Sequence, residues 1–255
     1  MTRVDVNMTR VGEHMTRVGG ERAGMEYVEI ARAESERGEV VLRERRDPEE
    51  PTAAPVLELR VNGVFVMDTH ETSTERQLAA AALAQVERPH SVIIGGLGLG
   101  YTLHEVLADH AVERVVVVEI EDALVRWMRD GTIPHGPALL ADERLHLVVA
   151  DIRMAITEAT PASYDLVLLD VDNGPGYLVY QDNAPLYERT FIAEVANALR
   201  PGGALVVWSS AESADLAEAM ESVFGAVTPI PYDVTLLHQG GRARDERYWL
   251  YLSRR

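Results

Sequence analysis

The 255-residue sequence has no cysteine, which excludes disulfides, thiol nucleophiles and thiolate metal sites. It has no lysine either. All 24 basic residues are arginine, set against 41 acidic ones, for a formal net charge of −17 at pH 7. A nucleic-acid partner needs a basic stripe to neutralise phosphates, so this balance argues against one. The missing lysine reflects a coding bias and carries no mechanism. No apolar run reaches transmembrane length and there is no signal-peptide core. The expectation is a cytoplasmic protein with no membrane partner. His70, His90, His104 and His238 show no H-x-x-x-H spacing, so no metal site is expected. The overall negative field suits a small cationic or neutral partner.

What is present is organised around Ser91 to Gly100, SVIIGGLGLG. A short β-branched run reads as a buried parallel strand, and the glycines after it as a tight turn into a helix. A second strand ends in Glu119, about twenty residues on, as in a nucleoside-binding βαβ unit. There the glycines let backbone approach the ligand, and the carboxylate takes a ribose diol. A dinucleotide fingerprint starting at Gly96 and Gly98 would need a small residue at position 101, where Tyr101 stands. Gly96, Gly98 and Gly100 instead make G-x-G-x-G, a spacing associated with S-adenosylmethionine (SAM) enzymes.

Along the chain, Met-Thr-Arg-Val recurs at Met1, Met8 and Met15. Residues 1–24 read as a disordered leader or duplicated starts, with Met25 as a functional beginning. Residues 25–72 read as a small antiparallel β subdomain with strands Tyr27–Ile30, Glu39–Leu42, Val56–Val61 and Val64–Met67. Asn62-Gly63 marks a type I′ hairpin. Residues 73–255 read as a Rossmann-like domain opening with a helix at Thr74–Gln85. Its strands are expected at Ser91–Ile94, Val115–Val118, Leu145–Val149, Leu166–Leu169 and Ala204–Trp208. Helices are expected at Tyr101–Asp109, Ala123–Arg129, Ile152–Ala159 and Leu186–Leu199. An antiparallel pair, Val234–His238 and Arg247–Leu252, joined through Gln239-Gly240-Gly241, closes the chain. The fold class is α/β: a seven-stranded SAM-transferase sheet preceded by the β subdomain.

In such a sheet, ligands bind outside the carboxyl ends of the strands. Those ends carry Gly95, Gly96, Gly98 and Gly100, then Glu119, Asp151, Asp170 and Asp172. Glu119 is expected on the ribose, Asp151 with Ile152 on the adenine, and Asp170 nearest the sulfonium. Asp151 also precedes a helix, where an N-cap is the simpler role.

These residues carry a family resemblance. Val56 to Gln77, the glycine loop, Val118-Glu119, Ala150-Asp151 and Tyr164 to Asp170 together resemble spermidine synthase and the related polyamine aminopropyltransferases. The resemblance spans residues 27–225. It implies an N-terminal β subdomain, a Rossmann-like catalytic domain, a homodimer and decarboxylated SAM as donor. Glu75 matches the glutamate of the family's D-E-x-x-Y-x-E segment. The departures are informative. Gly98 stands where the family's G-G-G-D-G-G loop has aspartate, a group that would repel the α-carboxylate of ordinary SAM. The family's D-S-S-D-P is Asp170-Val171-Asp172-Asn173-Gly174, which puts Asn173 at the catalytic acid's position. Ser73 replaces the tyrosine, and Thr69 and His70 replace diamine-binding acids.

The expected activity is therefore transfer from SAM on a spermidine-synthase-like scaffold, with methyl transfer to a small-molecule nucleophile first in order. Aminopropyl transfer from decarboxylated SAM, 3-amino-3-carboxypropyl transfer, and a non-catalytic adenosyl-binding regulator are the alternatives. Asp170 or Asp172 would act as base or amine holder. The Gly-, Pro- and Tyr-containing stretch Asn173–Tyr187 would close over the acceptor through Tyr177, Tyr180 and Tyr187, with His70 and Glu75 also facing substrate.

Overall fold

The computed structural model describes residues 24–238 and 242–255. The Met-Thr-Arg-Val leader and the Gln239–Gly241 turn lie outside the described residues. Two compact units divide at Glu71 and Thr72.

The first unit is a four-stranded antiparallel sheet in the order β1 (Glu26–Ser35), β2 (Gly38–Arg46), β3 (Val56–Val61) and β4 (Val64–Asp68). Asn62 and Gly63 both have positive φ, 51° and 76°, as a type I′ turn requires. The Asn62 side chain accepts from the Glu39 amide at 3.0 Å and donates to the Arg37 carbonyl at 3.1 Å. One asparagine thus ties two hairpin turns together.

The second unit opens with α1 (Ser73–Leu83) and builds a seven-stranded sheet. Its elements follow as β5 (Ser91–Gly95), α2 (Tyr101–Ala108), β6 (Arg114–Glu119), α3 (Asp122–Asp130), α4 (Gly136–Leu140), β7 (Leu145–Val149), α5 (Ile152–Thr157) and β8 (Tyr164–Leu169). A 3-10 turn (Gln181–Tyr187), α6 (Arg189–Ala198), β9 (Leu199–Ser209), α7 (Ala214–Phe224), β10 (Thr228–His238) and β11 (Arg242–Arg254) complete it. The strand order is β10-β11-β9-β8-β5-β6-β7. β7, β6, β5, β8 and β9 run parallel, and β11 pairs antiparallel with both β9 and β10. Chain order reverses direction between β5 and β8, which sets the switch-point crevice there.

The central strands are almost wholly buried, because helices cover both faces of a parallel sheet. One face carries Ile93, Val116, Val167, Leu169, Leu205 and Val207, packed under α5, α6 and α7. Their neighbours along each strand, such as Leu168 and Val206, point to the other face, since side chains alternate along a strand.

One expected helix changes, and one helix, α4, was not expected. The span Leu186–Leu199 divides: Tyr187 ends the 3-10 turn, Glu188 is extended (φ −90°, ψ 153°), and only Arg189–Ala198 is α-helical. Pro185 lacks the amide an α-helix would use there, which holds the preceding turn apart. α4, with Pro137 in its first turn, had no clear periodic signal.

Candidate active site

The glycine turn links β5 to α2. Gly96 has φ +93°, and a Cβ on it would lie 1.9 Å from the Asp170 carbonyl oxygen, so no other residue fits. The turn thereby brings the ends of β5 and β8 into direct backbone contact, and the Asp170 amide donates to the Gly95 carbonyl at 2.8 Å. Gly98 and Gly100 also have positive φ, 50° and 86°. A Cβ on Gly95 would press on Ile152 and Val171, which places the Ile152 side chain directly beneath the turn.

Glu119, at the end of β6, clasps this turn from the side. Its carboxylate accepts from the Leu97 amide and from the Glu121 amide, each at 2.8 Å. Burial pushes its pKa up, and the amides of Glu121, Leu97 and Ile120 oppose that rise. The carboxylate sits in the crevice but is first a backbone anchor.

Asp151 is the N-cap of α5: it accepts from the Arg153 amide at 2.8 Å, and the Arg153 guanidinium engages both of its oxygens. The capping role is the one the structure displays, and Arg153 is a partner that sequence reasoning missed.

Asp170 differs from all of these. It follows β8 on the same face as Leu168, and its carboxylate accepts from the Thr102 hydroxyl of α2 at 2.7 Å. Among the described residues no cation is paired with it. Desolvation raises its pKa to about 6, and the Thr102 bond holds it below where burial alone would put it. A half-buried carboxylate without a counter-charge among the described residues suits a cationic ligand or proton transfer near neutral pH.

Asp172 is committed elsewhere. It accepts from the amides of Asn173 (2.7 Å), Val179 (2.8 Å) and Tyr180 (3.3 Å) and from the Asn183 side chain (2.8 Å). Four donors saturate it, so Asp172 organises the 173–183 loop, and Asp170 is the strand-end acid with more acceptor capacity left. Asn173 is held by its carbonyl, which accepts from the Ser210 amide at 3.1 Å. Gly174 packs so closely on Ser209 that a Cβ would meet its Oγ at 2.2 Å.

The three loop tyrosines separate. Tyr177 is 57% exposed. Tyr180 donates its hydroxyl to Glu121 at 3.3 Å, linking the loop to the start of α3. Tyr187 is buried, with its hydroxyl near the Gly174 backbone. Burial first, then the charges of Asp172 and Asp170, push its pKa up, so it stays a neutral phenol. Glu75 is buried on α1, where it accepts from the Thr74 hydroxyl at 2.8 Å, while Thr102 also approaches the Glu75 carbonyl at 3.3 Å. His70 closes the first unit as an exposed residue whose amide donates to Asp68. Thr102, in the first turn of the helix after the glycines, is the site residue the sequence reading overlooked; only its place in that turn could have flagged it. The described residues contain no cluster of acids and histidines able to hold a metal, and no helix long and apolar enough to cross a membrane.

A doubly wound sheet closed by an antiparallel hairpin, with a glycine turn and acids at its central strand ends, defines a Rossmann-like α/β architecture. Residues 71–224 match the model of the spermine/spermidine synthase domain, and the chain belongs to that family. The chain is 36% identical over 133 residues to putrescine N-methyltransferase 3 of Nicotiana tabacum, covering 51% of this chain and 32% of that protein. It is 33% identical over 171 residues to polyamine aminopropyltransferase 2 of Pseudomonas aeruginosa, covering 63% and 47%. The chain therefore spans a third to a half of the length of these curated relatives. Among solved structures, spermidine synthase in complex with the transition-state analogue AdoDATO superposes with a TM-score of 0.69 at 16% identity, covering 89% of this chain and 73% of that one. Spermidine synthase from Thermotoga maritima gives 0.67 at 15%, covering 89% and 72%. These likenesses establish the fold.

Proposed function

We propose that this chain transfers the methyl group of SAM to the nitrogen of a small amine. The observation that carries the reading is Asp170: a half-buried carboxylate at the switch point, held by Thr102 and paired with no cation among the described residues. Such a group fits a sulfonium donor and an ammonium acceptor, both cationic. Gly98, with φ +50° in the turn, offers amide rather than carboxylate toward the donor's amino-acid end, which favours ordinary SAM over its decarboxylated form.

In this reading Glu119 fixes the turn and keeps lone-pair capacity for a ribose hydroxyl. Ile152 supplies an apolar floor for the adenine, and Asp151 orders the adjacent helix start. The donor supplies an electrophilic methyl carbon. Asp170 takes the proton from the incoming ammonium, freeing its lone pair to form the new N–C bond while the S–C electrons remain on sulfur. Asp172 keeps the 173–183 loop in place so that water is excluded, and orientation does most of the rest.

A second reading, aminopropyl transfer, is favoured by the Pseudomonas relative. Calorimetry with SAM and decarboxylated SAM, followed by product analysis with amine acceptors, separates the two. Preference for SAM and formation of S-adenosylhomocysteine are expected. Preference for the decarboxylated donor with release of methylthioadenosine would overturn the methyl reading.

A further inference from the structure

The glycine turn is also held from outside, by the corner between α3 and α4, which the chemistry above does not use. Gly136, the first residue of α4, lies hard against α3: a Cβ on it would stand 2.2 Å from the Met128 carbonyl oxygen. Ile133, just before it, is fully buried, and its amide donates to the Trp127 carbonyl at 2.9 Å. His135 is thereby fixed in place. Its Nε2 lies 2.6 Å from the Leu99 carbonyl oxygen, and since a carbonyl only accepts, that nitrogen carries the proton. The imidazole also meets the Tyr101 ring, with centroids 5.5 Å apart, and Arg76 of α1 lies over the same ring. The tyrosine that breaks a dinucleotide fingerprint thus belongs to this corner. Gly100 rests on it as well, since a Cβ there would come within 2.7 Å of Leu139 and 2.9 Å of Met128.

We propose that His135 is a positioning residue that makes the glycine turn selective for a donor bearing a carboxylate. The inference rests on the reading of ordinary SAM as donor and names what sustains that choice. A carbonyl oxygen carries partial negative charge and repels a carboxylate laid against it. In this turn the Leu97 carbonyl accepts from the Gly100 amide at 2.8 Å, and the Leu99 carbonyl accepts from His135. Gly98 stands between these two committed carbonyls, so the donor's amino-acid end meets amide rather than lone pairs. His135 acts through the Leu99 peptide and touches no donor itself. Loss of its N–H lets that peptide turn its oxygen toward the crevice, which a carboxylate feels most and the nucleoside least. Glu119 anchors the turn separately, through the Leu97 amide. The two anchors divide the work: Glu119 serves the ribose side and His135 the amino-acid side.

The test titrates the full chain calorimetrically with SAM, decarboxylated SAM and methylthioadenosine. The first two differ only in the carboxylate, and the third reports the nucleoside half. His135→Phe keeps a ring against Tyr101 and loses the N–H. It should weaken SAM about tenfold relative to decarboxylated SAM, with methylthioadenosine affinity held within about twofold. His135→Gln, whose amide can donate from the place of Nε2, should restore most of the SAM affinity. Equal weakening of all three ligands in His135→Phe would show a merely structural corner and overturn the inference, as would an unchanged ratio of SAM to decarboxylated SAM. If His135→Phe fails to fold, His135→Asn, which withdraws the donor from Leu99, reads the same ratio by the same criteria. Preference of the parent for decarboxylated SAM would sink the SAM reading by itself. The further fall of the SAM ratio in His135→Phe would still support the role of His135, and a constant ratio would reject it. Binding of none of the three by the parent would overturn both.

Discussion

Thr102 on α2 donates its hydroxyl to Asp170 at the end of β8, across 2.7 Å and 68 residues of sequence. That bond favours the ionised carboxylate, whereas burial disfavours it. Thr102→Val should therefore raise the Asp170 pKa and move the acidic limb of the kcat/KM profile to higher pH. A pH–rate series with parent and variant measures it; an unmoved limb would remove Asp170 from the rate-controlling proton step.

Asp170→Asn should separate activity from stability. With its folded pKa at about 6, above the ordinary 3.8, the carboxyl favours folding while neutral. That contribution is complete below about pH 4 and is lost as pH rises through about 6. An amide stays neutral throughout and can still accept from Thr102. The variant should lose at least about 100-fold in turnover. Above pH 6 it should be more stable than the parent by about 1–3 kcal/mol, with the gap closing toward pH 4. Thermal melts across pH check the sign, and a destabilised variant at pH 8 would contradict it.

Asp172→Ala removes the acceptor that gathers four donors of the 173–183 loop. The expected result is faster chymotryptic cleavage at Tyr177 or Tyr180 and a stability loss of about 1–3 kcal/mol. KM for the acceptor should rise more than kcat falls, while the acidic limb stays in place. Loss of that limb would return Asp172 to the role of base.

Glu119→Ala frees the Leu97 and Glu121 amides from their acceptor. SAM binding should weaken by about 1–3 kcal/mol in calorimetric titration. Unchanged affinity in a folded variant would exclude Glu119 from the cofactor site.

Much of the fold was legible because its determinants are local. β-branched runs marked the strands, Asn62-Gly63 marked the hairpin, and the glycines marked the turn from β5 into α2. The division at Glu188 was harder to see, since Pro185 lies within an otherwise helical apolar pattern. The strand-end rule also gathered Glu119, Asp151, Asp170 and Asp172 on one edge of the sheet.

What the sequence could not assign was the occupation of each carboxylate. Arg153 takes Asp151 from two residues away, the loop amides take Asp172, and the glycine turn takes Glu119 from across the crevice. Asp170 is left with a single hydroxyl from a distant helix. An acid's place along the chain follows from strand periodicity and turn chemistry, so the sequence alone determines it. Its proton affinity and its availability depend on which donors the folded chain brings within about 3 Å, and only the tertiary structure decides that.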